Sequence, residues 1–235
     1  MNSQTTSHAI RDRAIELIGL MTGDEKHDAS ATSTLDVLVV LYDRILNVSP
    51  ATIRDPTRDR FLLSKGHGPM AYYAVLAATG FIDPDVLLSF GTYASILGRH
   101  PDRKLVPGVE ISSGSLGHGL PIAVGLAHGL QTRGGASAGA RVFCLVGDAE
   151  FDEGSNHEAV VLAGRLGLQR LHVVVIDNGS ATYGWPGGIA ARFELEGWST
   201  RTVDGRDRIA LEAAFTAAHP GRPHVVVATI AERAS

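Results

Sequence analysis

The order of apolar runs in the second half of the chain leaves few folds open. Segments 142–146, 171–176, 199–203 and 224–230 each read as a short strand. Between them the spacing turns helical, over 153–166, 189–197 and 209–218. Alternating strand and helix imply βαβ crossovers and a parallel sheet, because parallel neighbours cannot be joined by a tight hairpin. Most of these runs are apolar throughout rather than alternating, which fits a sheet covered on both faces. The expected fold class is α/β, a parallel sheet flanked by helices, with residues 1–235 forming one domain.

The first half supplies the remaining elements. Ile10, Ala14, Leu17, Ile18 and Met21 mark a helix over 8–22, and a polar interruption fills 22–32. Leu35, Leu38, Val39, Tyr42, Ile45 and Leu46 mark a second helix, with Thr34 expected as its N-cap. Segment 60–64 reads as a buried strand ending in Lys65-Gly66-His67-Gly68, where the backbone must turn sharply. A helix is expected over 69–79, a short one from Asp83-Pro84, a long loop over 91–115 and a surface turn over 134–140. Helical spacing returns over 116–130 despite Gly117, Gly119, Gly125 and Gly129. Each interior glycine weakens a helix by roughly 1 kcal/mol, so close approach by another backbone or a ligand is the expected reason for them.

Composition narrows the function. The chain has 235 residues, and 21 Lys+Arg against 25 Asp+Glu give a net charge of −4, mixed along the chain. A basic nucleic-acid surface is therefore not expected. No apolar stretch reaches the ~18 residues of a membrane span, and the N-terminus lacks an apolar signal core, so the expected address is the cytoplasm. The single cysteine, Cys144, lies in an apolar run and reads as a buried, inert thiol. Ten histidines form no HxxxH pair or Cys/His cluster, so zinc is not expected.

Three constellations carry possible chemistry. Gly147-Asp148-Ala149-Glu150 follows one expected strand, and Asp177-Asn178-Gly179-Ser180 ends the next. In a parallel sheet, ligands gather at the carboxyl ends of the strands. A carboxylate and an amide oxygen there are hard donors, suited to Mg²⁺ or Ca²⁺ shared with a phosphate. The helix start near Glu153 offers amides to an anion. On spacing alone, both sequences also read as plain strand-end turns, and that alternative stays open. Gly114-Ser115-Leu116-Gly117-His118-Gly119 opens a helix and suits close approach to a phosphate or flat ring, but it is neither a dinucleotide fingerprint nor a P-loop. His27, His67, His100 and His118 sit in loops or beside glycines, where an imidazole can move protons near neutral pH.

Four ordered segments resemble transketolase: 61–69, 107–127, 147–159 and 175–180. The likeness is closest to the N-terminal subunit of split, two-subunit transketolases and runs over about residues 8–230. It implies a thiamine diphosphate-binding (PP-type) domain and an enzyme that moves a two-carbon ketol unit from a ketose to an acceptor. It implies Asp148, Asn178 and the Ser180 carbonyl as ligands of Mg²⁺ (or Ca²⁺). It places the diphosphate on the Gly147-Asp148-Ala149 backbone, and Gly114, Ser115 and Leu116 near the cofactor. His67, His100 and His27 match active-site histidines, and Glu153 an acid in a carboxylate network between subunits. The glutamate that activates the aminopyrimidine belongs to a pyrimidine-binding domain. A C-terminal (pyrimidine-binding) partner subunit, with assembly into a heterotetramer, follows from the likeness.

The sequence departs from the family at identifiable points. Ala149 replaces the second glycine of Gly-Asp-Gly, tolerable only at negative φ. Glu25-Lys26-His27-Asp28-Ala29 replaces Ser-Gly-His-Pro-Gly, His118 replaces a glutamine, and a Lys-Gly-Lys-Gly segment with a further histidine does not follow residue 230. These departures leave two other readings: a specialised enzyme that delivers the unit to a lipoyl or carrier-protein thiol, and a non-catalytic scaffold paralogue.

Overall fold

The structure is a computed structural model that describes residues 3–23, 32–134 and 139–230. Five parallel strands form one sheet in the order β1-β2-β3-β5-β4: β1 (Arg60–Leu63), β2 (Val142–Gly147), β3 (Leu171–Asp177), β4 (Ser199–Asp204) and β5 (His224–Thr229). The register sets Leu62 beside Cys144, Cys144 beside Val173, and Val173 beside Val225.

Alternate residues of β1, β2, β3 and β5 enter two different cores, as the pleat requires. On one face Phe61, Phe143, Leu145, Val174, Ile176 and Val226 pack with α1 (Ser3–Leu20), α2 (Leu35–Val40), α3 (Met70–Ala78) and α7 (Arg208–Phe215). On the other, Leu62, Val142, Cys144, Val146, Val173 and Val175 pack with α4 (Gly119–Arg133), α5 (Gly154–Arg165) and Phe193 of α6 (Gly188–Leu195). The three inner strands are therefore apolar on both sides. Edge strand β4 is not, and Thr200, Arg201 and Thr202 are at least partly exposed.

Two local expectations change. Thr34 makes no side-chain cap bond, and the second helix turns into a π-turn at Leu41–Ile45. Of the four glycines at and within α4, only the first two meet anything: Gly125 and Gly129 have nothing within 4 Å of where a side chain would begin. Two features fall where no structure is described: His27, and residues 135–138 of the expected surface turn. Among the described residues, no helix is long and apolar enough to cross a membrane.

Candidate functional site

The carboxyl ends of β1, β2 and β3 lie side by side, and the loops leaving them carry Ser64, Asp148 and Asn178. Parallel pairing decides this adjacency, since every strand of such a sheet delivers its following loop to the same edge.

Asp148 opens a short 3₁₀ turn, Asp148–Asp152, directly after β2. Its carboxylate is buried. Oδ2 accepts the amides of Ser180 (2.7 Å) and Ala181 (3.2 Å), and Oδ1 accepts the amide of Ala149 (2.9 Å). The Ser180 hydroxyl donates to Asp148 Oδ1 and is 2.8 Å from Asn178 Oδ1. The oxygens of Asp148 and Asn178 thus converge on one small polar point. Asp152 holds the same loop from outside, accepting the amides of Thr182 (2.8 Å) and Tyr183 (3.3 Å). Burial, and then the Asp148 charge, raise the Asp177 carboxyl above its usual range.

No non-glycine residue among those described has positive φ, so Ala149 sits at negative φ without strain. The amides around it are partly engaged. Gly147 N–H donates to Glu150 Oε2 (3.0 Å), and Ala149 N–H to Asp148.

Glu150 is a buried acid that sequence reasoning does not single out. Oε1 accepts the Ser64 hydroxyl (2.6 Å) and the Gly117 amide (3.2 Å), while Ser64 Oγ accepts the Gly119 amide (3.1 Å). Asn156 Nδ2 donates to the Glu150 carbonyl (2.7 Å). One carboxylate therefore ties the end of β1, the start of α4 and the end of β2 together. Burial raises its pKa, while the Ser64, Gly147 and Gly117 bonds and the Lys65 charge oppose that. The signal in the sequence is a Ser and a Glu flanking two strand ends. It becomes specific only when the sheet pairs those strands.

His67 and His100 meet although 33 residues of sequence separate them, with ring centroids 6.3 Å apart. Both are exposed. With Ser64, Gly66, Gly114, Ser115 and Leu116 they line a cleft of about 250 Å³. Gly114, at φ +134°, brings its backbone against the His100 ring, where a side chain would meet Cγ at 3.3 Å. Gly117, at φ +79°, lies against Ser155, whose hydroxyl donates to the Gly117 carbonyl (2.7 Å), and against exposed Glu153. The structure thus gathers His67, His100, Gly114, Ser115 and Leu116 in one cleft and Asp148, Asn178 and Ser180 in one cluster. Glu153 lies by Gly117 at the rim of α5. Among the described residues, no group of three or more His, Cys, Asp or Glu could hold a metal ion; a hard cation here would take one carboxylate plus amide and carbonyl oxygens.

The sequence profile described as "Transketolase, thiamine diphosphate binding domain" matches residues 3–232. A protein of Rhodococcoides fascians named "Ferredoxin fas2" is 56% identical over 93% of this chain and 71% of its own length. A ferredoxin-type cluster needs several Cys thiolates, and this chain holds only the buried Cys144, so its residues do not fit one. A protein of Actinobacillus succinogenes, named as one of the subunits of an apulose-4-phosphate transketolase, is 35% identical over 86% of this chain and 75% of its own length. "Transketolase 2" of Xanthobacter flavus is 38% identical over 91% of this chain, which spans only 34% of that protein. Among solved structures, transketolase from Leishmania mexicana superposes with a TM-score of 0.74 at 26% identity, over 97% of this chain and 36% of that one. With its parallel sheet, the loops at the sheet's carboxyl edge and this profile over nearly its whole length, the chain belongs to the transketolase family, through its thiamine diphosphate-binding domain.

Proposed function

We propose that this chain is the diphosphate- and metal-binding half of a two-subunit, thiamine diphosphate-dependent transferase. In this reading it moves a two-carbon ketol unit from a ketose, or ketose phosphate, to an acceptor carbonyl. The observation that carries the reading is the convergence of Asp148 and Asn178 oxygens on Ser180, beside the cleft that holds His67 and His100.

The donor set fits a hard divalent ion. Asp148 and Asn178 would supply side-chain oxygens and Ser180 its carbonyl, with Mg²⁺ or Ca²⁺ completing its shell from phosphate and water. Thiamine diphosphate, when bound, supplies the carbanion chemistry at its thiazolium ring. The chain's own residues do the rest of the work on this side. Gly114, Ser115 and Leu116 wall the cleft, and Leu116 presents apolar surface that limits water. His67 and His100 face the cleft, where their imidazoles can hold substrate hydroxyls and pass protons. Glu153, exposed at the start of α5, is available to a carboxylate network with the partner.

The need for a partner is supported by a relative named as one subunit of its enzyme, 35% identical and covered to three quarters of its own length. The partner is a pyrimidine-binding subunit that contributes the activating glutamate, and the assembly is a heterotetramer. The negative φ of Ala149 removes one ground for a non-catalytic scaffold.

Ketol transfer by the chain alone and with its pyrimidine-domain subunit, each with thiamine diphosphate and Mg²⁺, tests the reading. Turnover is expected only from the pair. Asp148→Ala in the pair should abolish Mg²⁺-dependent cofactor binding by calorimetry. Substantial turnover by the isolated chain, or undiminished binding in the variant, would overturn the proposal.

A further inference from the structure

We propose that Lys65 is a diphosphate anchor of this site, supplying through its ammonium a donor beyond the few that the 147–149 turn retains. The inference rests on the reading of the site above and adds to it a residue for which the sequence suggested only a turn.

Lys65 follows β1 and is pinned by its backbone: the amides of Ser64 and Lys65 both donate to the Leu145 carbonyl of β2, at 2.8 and 3.2 Å. Its side chain then runs over Gly147. A side chain at position 147 would begin 3.3 Å from Lys65 Cδ and 3.7 Å from Cε. Gly147 has φ −90°, so glycine is not needed there for its backbone angle. What the missing side chain permits is the passage of this lysine across the end of β2. Its aliphatic stem thus passes the end of β2, and the ammonium beyond it lies 3.4 Å from the carbonyl of His67, a residue that lines the histidine cleft.

The charge makes few direct contacts. Its hydrogen bond is a long one, 3.4 Å to the His67 carbonyl, and among the described residues no ion pair joins it to a carboxylate. Lys65 is only half-buried and this bond is exposed, so the ammonium remains open to an anion, and a charged oxygen would make a stronger acceptor than the one it has. Burial lowers the Lys65 pKa, against the pull of Glu150 and Asp148.

The surroundings select the anion. Glu150 is held by donors from Ser64, Gly117 and Gly147, and Asp148 by those from Ala149, Ser180 and Ala181. The amides of Gly147 and Ala149 are engaged in the same bonds, so the turn retains few donors for a phosphate. A divalent ion held by the one carboxylate of Asp148 leaves one net positive charge, and a diphosphate carries more negative charge than that balances. Lys65 supplies the remaining cation where the phosphate oxygens would lie, and a charge-assisted N–H···O bond is the strong kind.

The competing role is that of a structural counter-ion for Glu150. The complex of both subunits, carrying wild-type, Lys65→Met or Lys65→Arg chain, separates the two. Inorganic pyrophosphate and thiamine diphosphate are titrated calorimetrically at fixed saturating Mg²⁺, and each complex is melted without ligand. Lys65→Met keeps the aliphatic path over Gly147 and should weaken both ligands by about tenfold or more. Lys65→Arg should retain most of the affinity, and the melting temperatures should agree. Unchanged pyrophosphate affinity in Lys65→Met overturns the proposal. So does a lower melting temperature for Lys65→Met, which marks the counter-ion role. If wild-type complex binds pyrophosphate but not thiamine diphosphate, the cofactor reading fails while the pyrophosphate comparison still decides the role of Lys65.

Discussion

Gly119 and Gly125 occupy the same helix and have opposite reasons for being glycine. A methyl group at Gly119 would fall on the Cβ and Oγ of Ser64, 2.8 Å from its Cα, in the network that Glu150 gathers. At Gly125 it would meet nothing within 4 Å. Gly119→Ala should therefore destabilise the chain by about 1–3 kcal/mol through overpacking. Gly125→Ala should stabilise it by about 0.5–1 kcal/mol through helix propensity. Urea denaturation of the two variants reads both signs, and equal effects would refute the distinction. Glu150→Gln is a second single-atom test. All three groups facing the carboxylate, Ser64 Oγ–H, Gly117 N–H and Gly147 N–H, are donors, so the NH₂ of glutamine must face one of them. The expected cost is about 1–3 kcal/mol, and a variant as stable as wild type would show that Glu150 is not the acceptor described.

At the scale of elements, the amino ends of β3 and β5 behave differently from their carboxyl ends. His172 begins the run of β3 that stacks on Phe143, with ring centroids 4.5 Å apart, and His224 begins β5. His219 lies 4.8 Å from each of them. His224 Nε2 is 3.0 Å from the Ala214 carbonyl at the end of α7, and its tautomer follows from donating there. Burial, reinforced by His219 and by Arg141, Arg170 and Arg201, lowers both pKa values: well below 6.5 for His172 and to about 4 for His224. The unfolded chain then takes up protons first at these two positions as pH falls through about 6.5, so their contribution to stability declines from there toward about pH 4 and is level above it. Melting temperature against pH should show this slope. His172→Phe keeps the stack, removes one titrating group and should shallow the slope; an unchanged slope would exclude His172 from it.

At the scale of the whole molecule, Asp59 joins segments far apart in sequence before the sheet begins. Its carboxylate accepts the Asn47 amide (2.9 Å), the Arg141 amide (2.8 Å) and Arg141 Nη2 (2.5 Å), while the same guanidinium reaches the Ile45 carbonyl. The bond between residues 59 and 141 fixes the start of β1 against the start of β2, and so sets which loops meet at the opposite edge. Asp59→Asn leaves the partly exposed Arg141 short of its charge partner and should cost about 2–3 kcal/mol. The midpoint of denaturation measures it. Loss of thiamine diphosphate affinity should track that destabilisation rather than exceed it, because Asp59 stands at the far end of the strands.

The alternation of apolar runs was enough to determine a parallel α/β sheet, because helix and strand periods and the chirality of crossovers are local properties of the chain. The Gly-Asp and Asp-Asn strand ends, and the loop histidines, were legible for the same reason: they are short motifs placed by the strands they follow. Which of them share a site was not legible. His67 and His100, or Ser64 and Glu150, become neighbours only through the pairing of β1 with β2 and the return of the 91–115 loop. The ends of the second helix also escaped the sequence, since Thr34 looks like a cap and the π-turn at Leu41–Ile45 has no pattern of its own. Lys65 shows the division most sharply. In sequence it is one residue of a turn; in the fold, an absent side chain at Gly147 lets its aliphatic stem pass the end of the neighbouring strand. Packing between elements distant in sequence decides such contacts, and no period along the chain encodes them.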